Sequence, residues 1–236
     1  MNYNKLKSNI NKIGFDVKRY PTYLLKNRMR LIEGNNIETI LDVGANVGQY
    51  AKEMRRLGFK GKIISFEPIA NVFKVLEKEQ SIDPDWSIHN MALGHKNEET
   101  QINISNASAS SSLLEMLPSH FEAAPTTKYV ETESITVRTL DSVFPEICKP
   151  NESIYLKIDV QGFEKNVIDG AKESLKKIKG IQMELSIVQL YSNELTYIEM
   201  IQYLEEKGFY LHSLEPGFAN VKTGQLLQAD GIFFRK

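Results

Sequence analysis

Two carboxylates close two apolar runs. Ile40-Leu41 leads into Asp42, and 25 residues later Ile63-Ile64-Ser65-Phe66 leads into Glu67. Between them lies a turn with glycines at positions 44 and 48, spaced G-x-N-x-G around Asn46. A strand that ends in a glycine turn and feeds a helix presents its end to a nucleoside cofactor. A pyrophosphate calls for G-x-G-x-x-G spacing and an open helix N-terminus. Asp42, two residues before the first glycine, opposes a pyrophosphate and suits a ligand with a cationic amino-acid end. S-adenosylmethionine has a sulfonium, an ammonium and no phosphate, so it is the expected cofactor. Asp42, Gly44, Asn46 and Gly48 are the expected contacts. Glu67 is placed to meet ribose hydroxyls, a feature that NAD sites share.

These residues need elements to hold them. The pattern predicts strands at residues 39–43, 62–66, 86–93, 153–158 and 181–185, with helices at 49–57, 71–79, 164–175 and 194–207 between or after them. Gly170 interrupts the third of these helices and Gly208 ends the last. Residues 209–214 and 225–234 flank a turn with Pro216, Gly217 and Gly224, the signature of a terminal hairpin. Strands alternating with helices imply an α/β sheet, here with an antiparallel end. Two helices open the chain, near residues 3–13 and 22–32, with Thr22 as a cap and Gly34 as a stop.

About 50 residues separate the third and fourth strands, more than a parallel crossover needs. Residues 100–104 alternate like a strand, 105–112 are small and polar, and 135–137 are β-like. The insertion, 105–130 above all, is expected to act as a lid or acceptor-binding element, the alternative being a spacer.

Composition bounds the class. The 236 residues, 42% hydrophobic and 25% charged, suffice for one sizeable domain. A single cysteine, Cys148, excludes an internal disulfide and is too little for a structural zinc site. No apolar run has transmembrane length and residues 1–10 are polar, so a cytoplasmic location is the default expectation. The net charge of −1 divides unevenly: residues 1–30 carry eight Lys or Arg against Asp16 alone. That arm is either a solvated helix face or an attractor of anionic partners. Its few aromatics make no base-stacking platform, and no nucleic acid is expected.

Several blocks resemble the FkbM-type methyltransferases: Leu41 to Gly48, Phe66-Glu67-Pro68, Ser110 to Leu113, Leu156 to Glu164, Gln182 to Leu185 and Asp230 to Phe233. The resemblance divides the chain into an N-terminal helical segment, 1–37, and a methyltransferase domain, 38–236. It implies a class I methyltransferase Rossmann-like sheet, order 3-2-1-4-5-7-6 with strand seven antiparallel. It also implies O-methylation of a hydroxyl, often on a sugar or a secondary metabolite. The family often carries Glu where this chain has Gln161.

In that sheet Asp159 ends strand four, beside strand one, and is the first choice for general base or acceptor anchor. Glu184 is the second. The alternatives are a helix cap for Asp159 and a structural hydrogen bond for Glu184. A Mg²⁺ held by these two acids without a third is the weaker expectation, and no metal is assigned. Asn90, Met91 or Ala92 is expected to touch the adenine. His120, in the insertion, is a minor candidate base. A small-molecule or carbohydrate acceptor is the expected partner, with the oligomeric state open. Two readings compete: an NAD(P)-dependent oxidoreductase, and a non-catalytic cofactor-binding scaffold.

Overall fold

In the computed structural model, residues 7–8, 10–15 and 19–236 are described. The first expected helix, 3–13, falls partly outside them, at residues 3–6 and 9. The second is α1 (Tyr23–Gly34), and the Thr22 hydroxyl accepts the Leu25 N–H at 3.4 Å.

Seven strands form the main sheet: β1 (Thr39–Val43), β2 (Lys62–Phe66), β3 (Trp86–His89), β7 (Ile154–Ile158), β8 (Ile178–Ser186), β9 (Phe209–Pro216) and β10 (Gln228–Arg235). Their order is β3-β2-β1-β7-β8-β10-β9, with β10 antiparallel to both neighbours. Counting only the sheet's own strands along the chain, this is 3-2-1-4-5-7-6. Every residue of β1 and β7 is buried, as central strands covered on both faces require.

Helices α2 (Gln49–Leu57) and α3 (Ala70–Gln80) follow β1 and β2. Met29 and Ile32 of α1 and Met54 of α2 pack with Ile40, Tyr155, Ile232 and Phe234 on one face. On the other face, α5 (Leu140–Ile147), α6 (Glu164–Asp169) and α7 (Tyr197–Glu205) place Leu140, Val167 and Leu204 against Leu41, Leu156 and Ile181. Helix α1 thus shares the core of the domain expected to begin at 38.

Three elements depart from expectation. The strand expected at 86–93 breaks after His89, and β4 (Ala92–Leu93) leaves for a second sheet. The helix expected from 194 starts at Tyr197 behind a Thr196/Glu199 capping box. Glu194 instead folds back, and its carboxylate accepts the N–H groups of Leu190 and Tyr191 and the Ser186 hydroxyl. The helix expected over 164–175 stops at Asp169, where Gly170 caps it.

The insertion is an ordered layer. Strands β5 (Glu98–Ser105) and β6 (Tyr129–Arg138) pair antiparallel, and β6 also pairs β4. Ile102, Ile135 and Val137 pack on Ile69 above the end of β2. A 3₁₀ turn (Ser108–Ser110) and α4 (Pro118–Ala123) complete it. Among the described residues no helix is long and apolar enough to cross a membrane.

Candidate active site

A cavity of about 520 Å³ crosses the ends of β2, β1 and β7 and reaches Gln182 of β8 and Asp230 of β10. Helices α1 and α2 and residues 108–113 of the insertion wall it. Its size and its place, where β1 separates strands running to either side, suit a bound nucleoside. Apolar side chains, Ile69, Leu93, Ile102 and Leu113, line the part beside the insertion. Charged and polar ones, Arg28, Tyr50, Lys157, Asp159, Gln182 and Asp230, line the part toward β10.

The turn after β1 spends its own donors. The Gly44 and Ala45 N–H groups go to Phe66 O, Asn46 N–H to Glu67 Oε2, Val47 N–H to Asn46 Oδ1, and Gly48 N–H to Ala45 O. Anion cradles at helix N-termini work through free N–H groups. All five in residues 44–48 are engaged, so the turn itself has no donor for a phosphate, and only the first N–H groups of α2 stay open. Gly44 sits at φ +76°, and a Cβ there would lie 1.9 Å from Asp159 O. Its bare backbone lets the β1 and β7 ends meet. Gly48 faces away from the cavity, against the Trp86 ring, where a Cβ would come within 2.5 Å. Expected as a cofactor contact, it packs there and is absent from the cavity wall.

Glu67 lines the cavity and is 5% exposed. Ile69 N–H donates to its Oε1 at 2.9 Å, and Asn46 N–H to Oε2 at the same distance. Two accepted bonds leave lone pairs on both oxygens. Burial pushes the carboxyl up to about 7, against those two bonds. Asn90 supports this corner from outside by donating to Glu67 O and Pro68 O. It does not line the cavity, whereas Ala92 does. Met91 packs against the core cluster of the far face.

Asp42, also expected at the cofactor, lies behind the cavity wall. It is fully buried and absent from the cavity wall. Its Oδ1 lies 3.1 Å from Lys157 Nζ, and Ser65 Oγ donates to its Oδ2 at 3.2 Å. Lys157 Nζ also donates to Gly44 O at 3.3 Å and stands 3.6 Å from Asp159 Oδ2. Burial alone would lower the Lys157 pKa, but Asp42 and Asp159 outweigh it and the pKa is raised. Strand alternation causes the arrangement, because Lys157 pairs with Asp42 in register. The charge of Asp42 therefore meets the site through Lys157.

Asp159 does line the cavity, with its side chain 41% exposed. It is not a cap for α6, whose N-cap is Phe163 without a side-chain bond, while Glu164 accepts the Val160 and Gly162 N–H groups of the loop before it. Gln161, held at φ 56°, bridges the two expected catalytic acids. Its Nε2 donates to Asp159 Oδ1 and to Glu184 Oε2, 3.0 Å each. Gln228 Nε2 also donates to Glu184, at 2.6 Å. Glu184 is thus tied down behind Gln161 and outside the cavity wall. Burial, then Asp159, hold its pKa well above the usual carboxylate range. Among the described residues no group of three or more His, Cys, Asp or Glu is disposed to hold a metal ion.

Gln161 also joins the insertion to the site. Ser112 Oγ donates to its carbonyl at 2.7 Å, and Tyr191 Oη donates to its Oε1 at 2.8 Å. His120, the minor candidate base, is 4% exposed on α4 and packed edge-on against Tyr191. It does not line the cavity.

Several groups that line the site were not singled out in the sequence. Arg28, counted in the basic arm, is 6% exposed and enters the cavity, paired with Glu53 and Glu215. Its signal was position: residues 25, 28, 29 and 32 form one helical packing stripe. Tyr50 Oη donates to Gln182 Oε1 at 3.0 Å. Lys157 and Asp230 carried a plainer signal, a charge inside an apolar strand.

Residues 42–211 match the family model described as "Methyltransferase FkbM domain". The chain is 28% identical over 163 residues to "2-O-methyltransferase NoeI" of Sinorhizobium fredii (strain NBRC 101917 / NGR234), covering 66% of each chain. Among solved structures it is similar to an rRNA methylase from Streptococcus thermophilus, with 6% identity, a TM-score of 0.50 and coverage of 92% of this chain and 99% of that one. TrmK from M. capricolum, in complex with S-adenosyl-homocysteine, matches with 8% identity, a TM-score of 0.50 and coverage of 92% and 70%. At these identities the two structures speak to the fold alone.

Proposed function

The chain belongs to the FkbM methyltransferase family, and from that premise we propose S-adenosylmethionine as donor and a hydroxyl of a carbohydrate or other small polyol as acceptor. The observation that carries the choice of donor is the turn after β1. Its five N–H groups are all engaged within the protein, while Glu67 keeps lone pairs facing the cavity. Such a site suits ribose hydroxyls without a pyrophosphate, which counts against an NAD(P) oxidoreductase. The relative named a 2-O-methyltransferase supports oxygen as the acceptor atom.

The bound donor would supply a methyl group already activated on sulfur, leaving the protein to align, shield and deprotonate. Glu67 accepts from the ribose hydroxyls. Ile69, Ala92, Leu93 and Ile102 close over the base. Asp159, oriented by Gln161 and balanced by Lys157, anchors the acceptor beside the Gly44 turn. Glu184 acts behind Gln161 as a positioning residue. A scaffold role leaves no purpose for the carboxylates of Glu67, Asp159 and Asp230 lining one cavity.

Calorimetry with S-adenosylmethionine, S-adenosylhomocysteine and NAD tests the cofactor. Binding of the first two is expected, and binding of NAD alone would sink the reading. Glu67→Ala should weaken S-adenosylhomocysteine by about 1–3 kcal/mol, the worth of a charge-assisted hydrogen bond. Labelled donor incubated with methyl glycosides, and separately with RNA, tests the acceptor class. Label in RNA alone would overturn it.

A further inference from the structure

Most carboxylates around the polar part of the cavity already have a partner. Asp42 is held by Lys157 and Ser65, Asp159 by Gln161 and Lys157, Glu184 by Gln161 and Gln228, and Glu215 by Arg28. Asp230 is different. It lines the cavity, yet among the described residues no hydrogen bond or salt bridge reaches its side chain. Register places it level with Glu184 on β8 and Glu215 on β9, on the face that α1 and α2 cover.

We propose that Asp230 takes the proton that the acceptor hydroxyl must lose. This rests on the donor proposed above. In the step, the acceptor oxygen bonds the methyl carbon, the carbon–sulfur bond breaks with its electron pair staying on sulfur, and the O–H proton passes to a carboxylate oxygen of Asp230. One cation, one neutral alcohol and one carboxylate become a neutral thioether, a neutral ether and a carboxylic acid, so charge and atoms balance. Product release then opens the acid to water, which removes the proton.

The surroundings suit a proton acceptor. Burial, then Asp159, push the Asp230 carboxyl up to about 6 against the pull of Arg28 and Lys157. It is therefore ionised at neutral pH and a stronger base than an exposed aspartate. Arg28 on α1, Tyr50 on α2, Lys157 on β7, Asp159 just after it, Glu184 on β8 and Glu215 on β9 are the titratable or charged groups around it. A sulfonium in this cavity favours the charged carboxylate, and its discharge favours the protonated one, so methyl transfer and proton uptake reinforce each other.

Proton linkage tests this without an acceptor. Calorimetry at pH 6, in buffers of different ionisation enthalpy, counts protons released on binding S-adenosylmethionine and, separately, S-adenosylhomocysteine. The wild type should release more with the cationic ligand, the excess being at most about half a proton. Glu67 meets both ligands alike, so its contribution cancels in the difference. Asp230→Asn should erase the excess while keeping S-adenosylhomocysteine affinity within about threefold, since it spares the ribose contacts. Equal release by the two ligands in the wild type, or an excess that survives in D230N, overturns the proposal and leaves the donor intact. Binding of neither ligand overturns the donor and this inference together.

Discussion

Lys157 holds two carboxylates at once. It stands 8% exposed between Asp42 and Asp159, and Asp42 has no exposure at all. Removing one member of a buried pair costs about 3–5 kcal/mol, because the other charge stays buried. Asp42→Ala should therefore cost about that much in urea unfolding, and adding Lys157→Met should recover part of it. A loss below about 1 kcal/mol would mean that water already reaches Lys157. Asp230 has the opposite sign. Its folded pKa of about 6 exceeds the ordinary aspartate value of about 3.9. The unfolded chain then releases this proton first, so the carboxyl's contribution to stability is full below about pH 4 and is lost as pH rises to about 6. Asp230→Asn should stabilise the empty protein at pH 7 by about 3 kcal/mol at most and change little at pH 4, as thermal unfolding at the two values would register. A gain equal at both would place the cause elsewhere. At this scale the sequence was legible for Glu67 and Asp159, whose strand-end positions bring them to the cavity. It was less so for Asp42, because whether a strand-end acid faces ligand or lysine depends on a partner 115 residues away.

Elements were read well where period and punctuation agreed. Strands β1 and β2 and helix α2 match expectation residue for residue, since buried runs and glycine stops are local signals. Polar stretches misled. The outer positions of β6 are exposed, so only its buried core at Ile135 and Val137 looked like a strand. The pattern puts Glu194 in a helix because a carboxylate that folds back on Leu190 and Tyr191 has the same local sequence as one on a helix face. The β1–α2 turn offers the sharpest prediction for an element. At Gly44 a Cβ would overlap Asp159 O, a backbone atom with no rotamer to escape into, and the φ is positive. Gly44→Ala should force the β1 and β7 ends apart. We expect a stability loss of more than about 2 kcal/mol, with faster amide exchange in residues 43–46 and 158–161. Exchange unchanged in both segments would show that the turn can relax on its own.

Across the whole molecule, α1 decides where the domain begins. The family resemblance covers residues 38–236 and so suggests a boundary after residue 37. In the fold, Met29 and Ile32 are core residues, and Arg28 neutralises Glu215, itself 4% exposed, on the far strand of the sheet. Burial of two such apolar side chains contributes about 1.5–3 kcal/mol each, and a stranded buried carboxylate would cost about 1–3 kcal/mol more. Loss of α1 should thus remove several kcal/mol from a protein whose total margin is of order 5–15 kcal/mol. It would also open the polar part of the cavity to water, which weakens every charge interaction there. A chain starting at residue 38 should melt roughly 10–20 °C below one starting at residue 19, since 1 kcal/mol shifts a domain of this size by about 2–4 °C. It should also lose S-adenosylhomocysteine affinity, because Arg28 and the α1 wall go with it. Equal midpoints and equal affinities for the two chains would put the boundary back at residue 37 and make α1 an accessory.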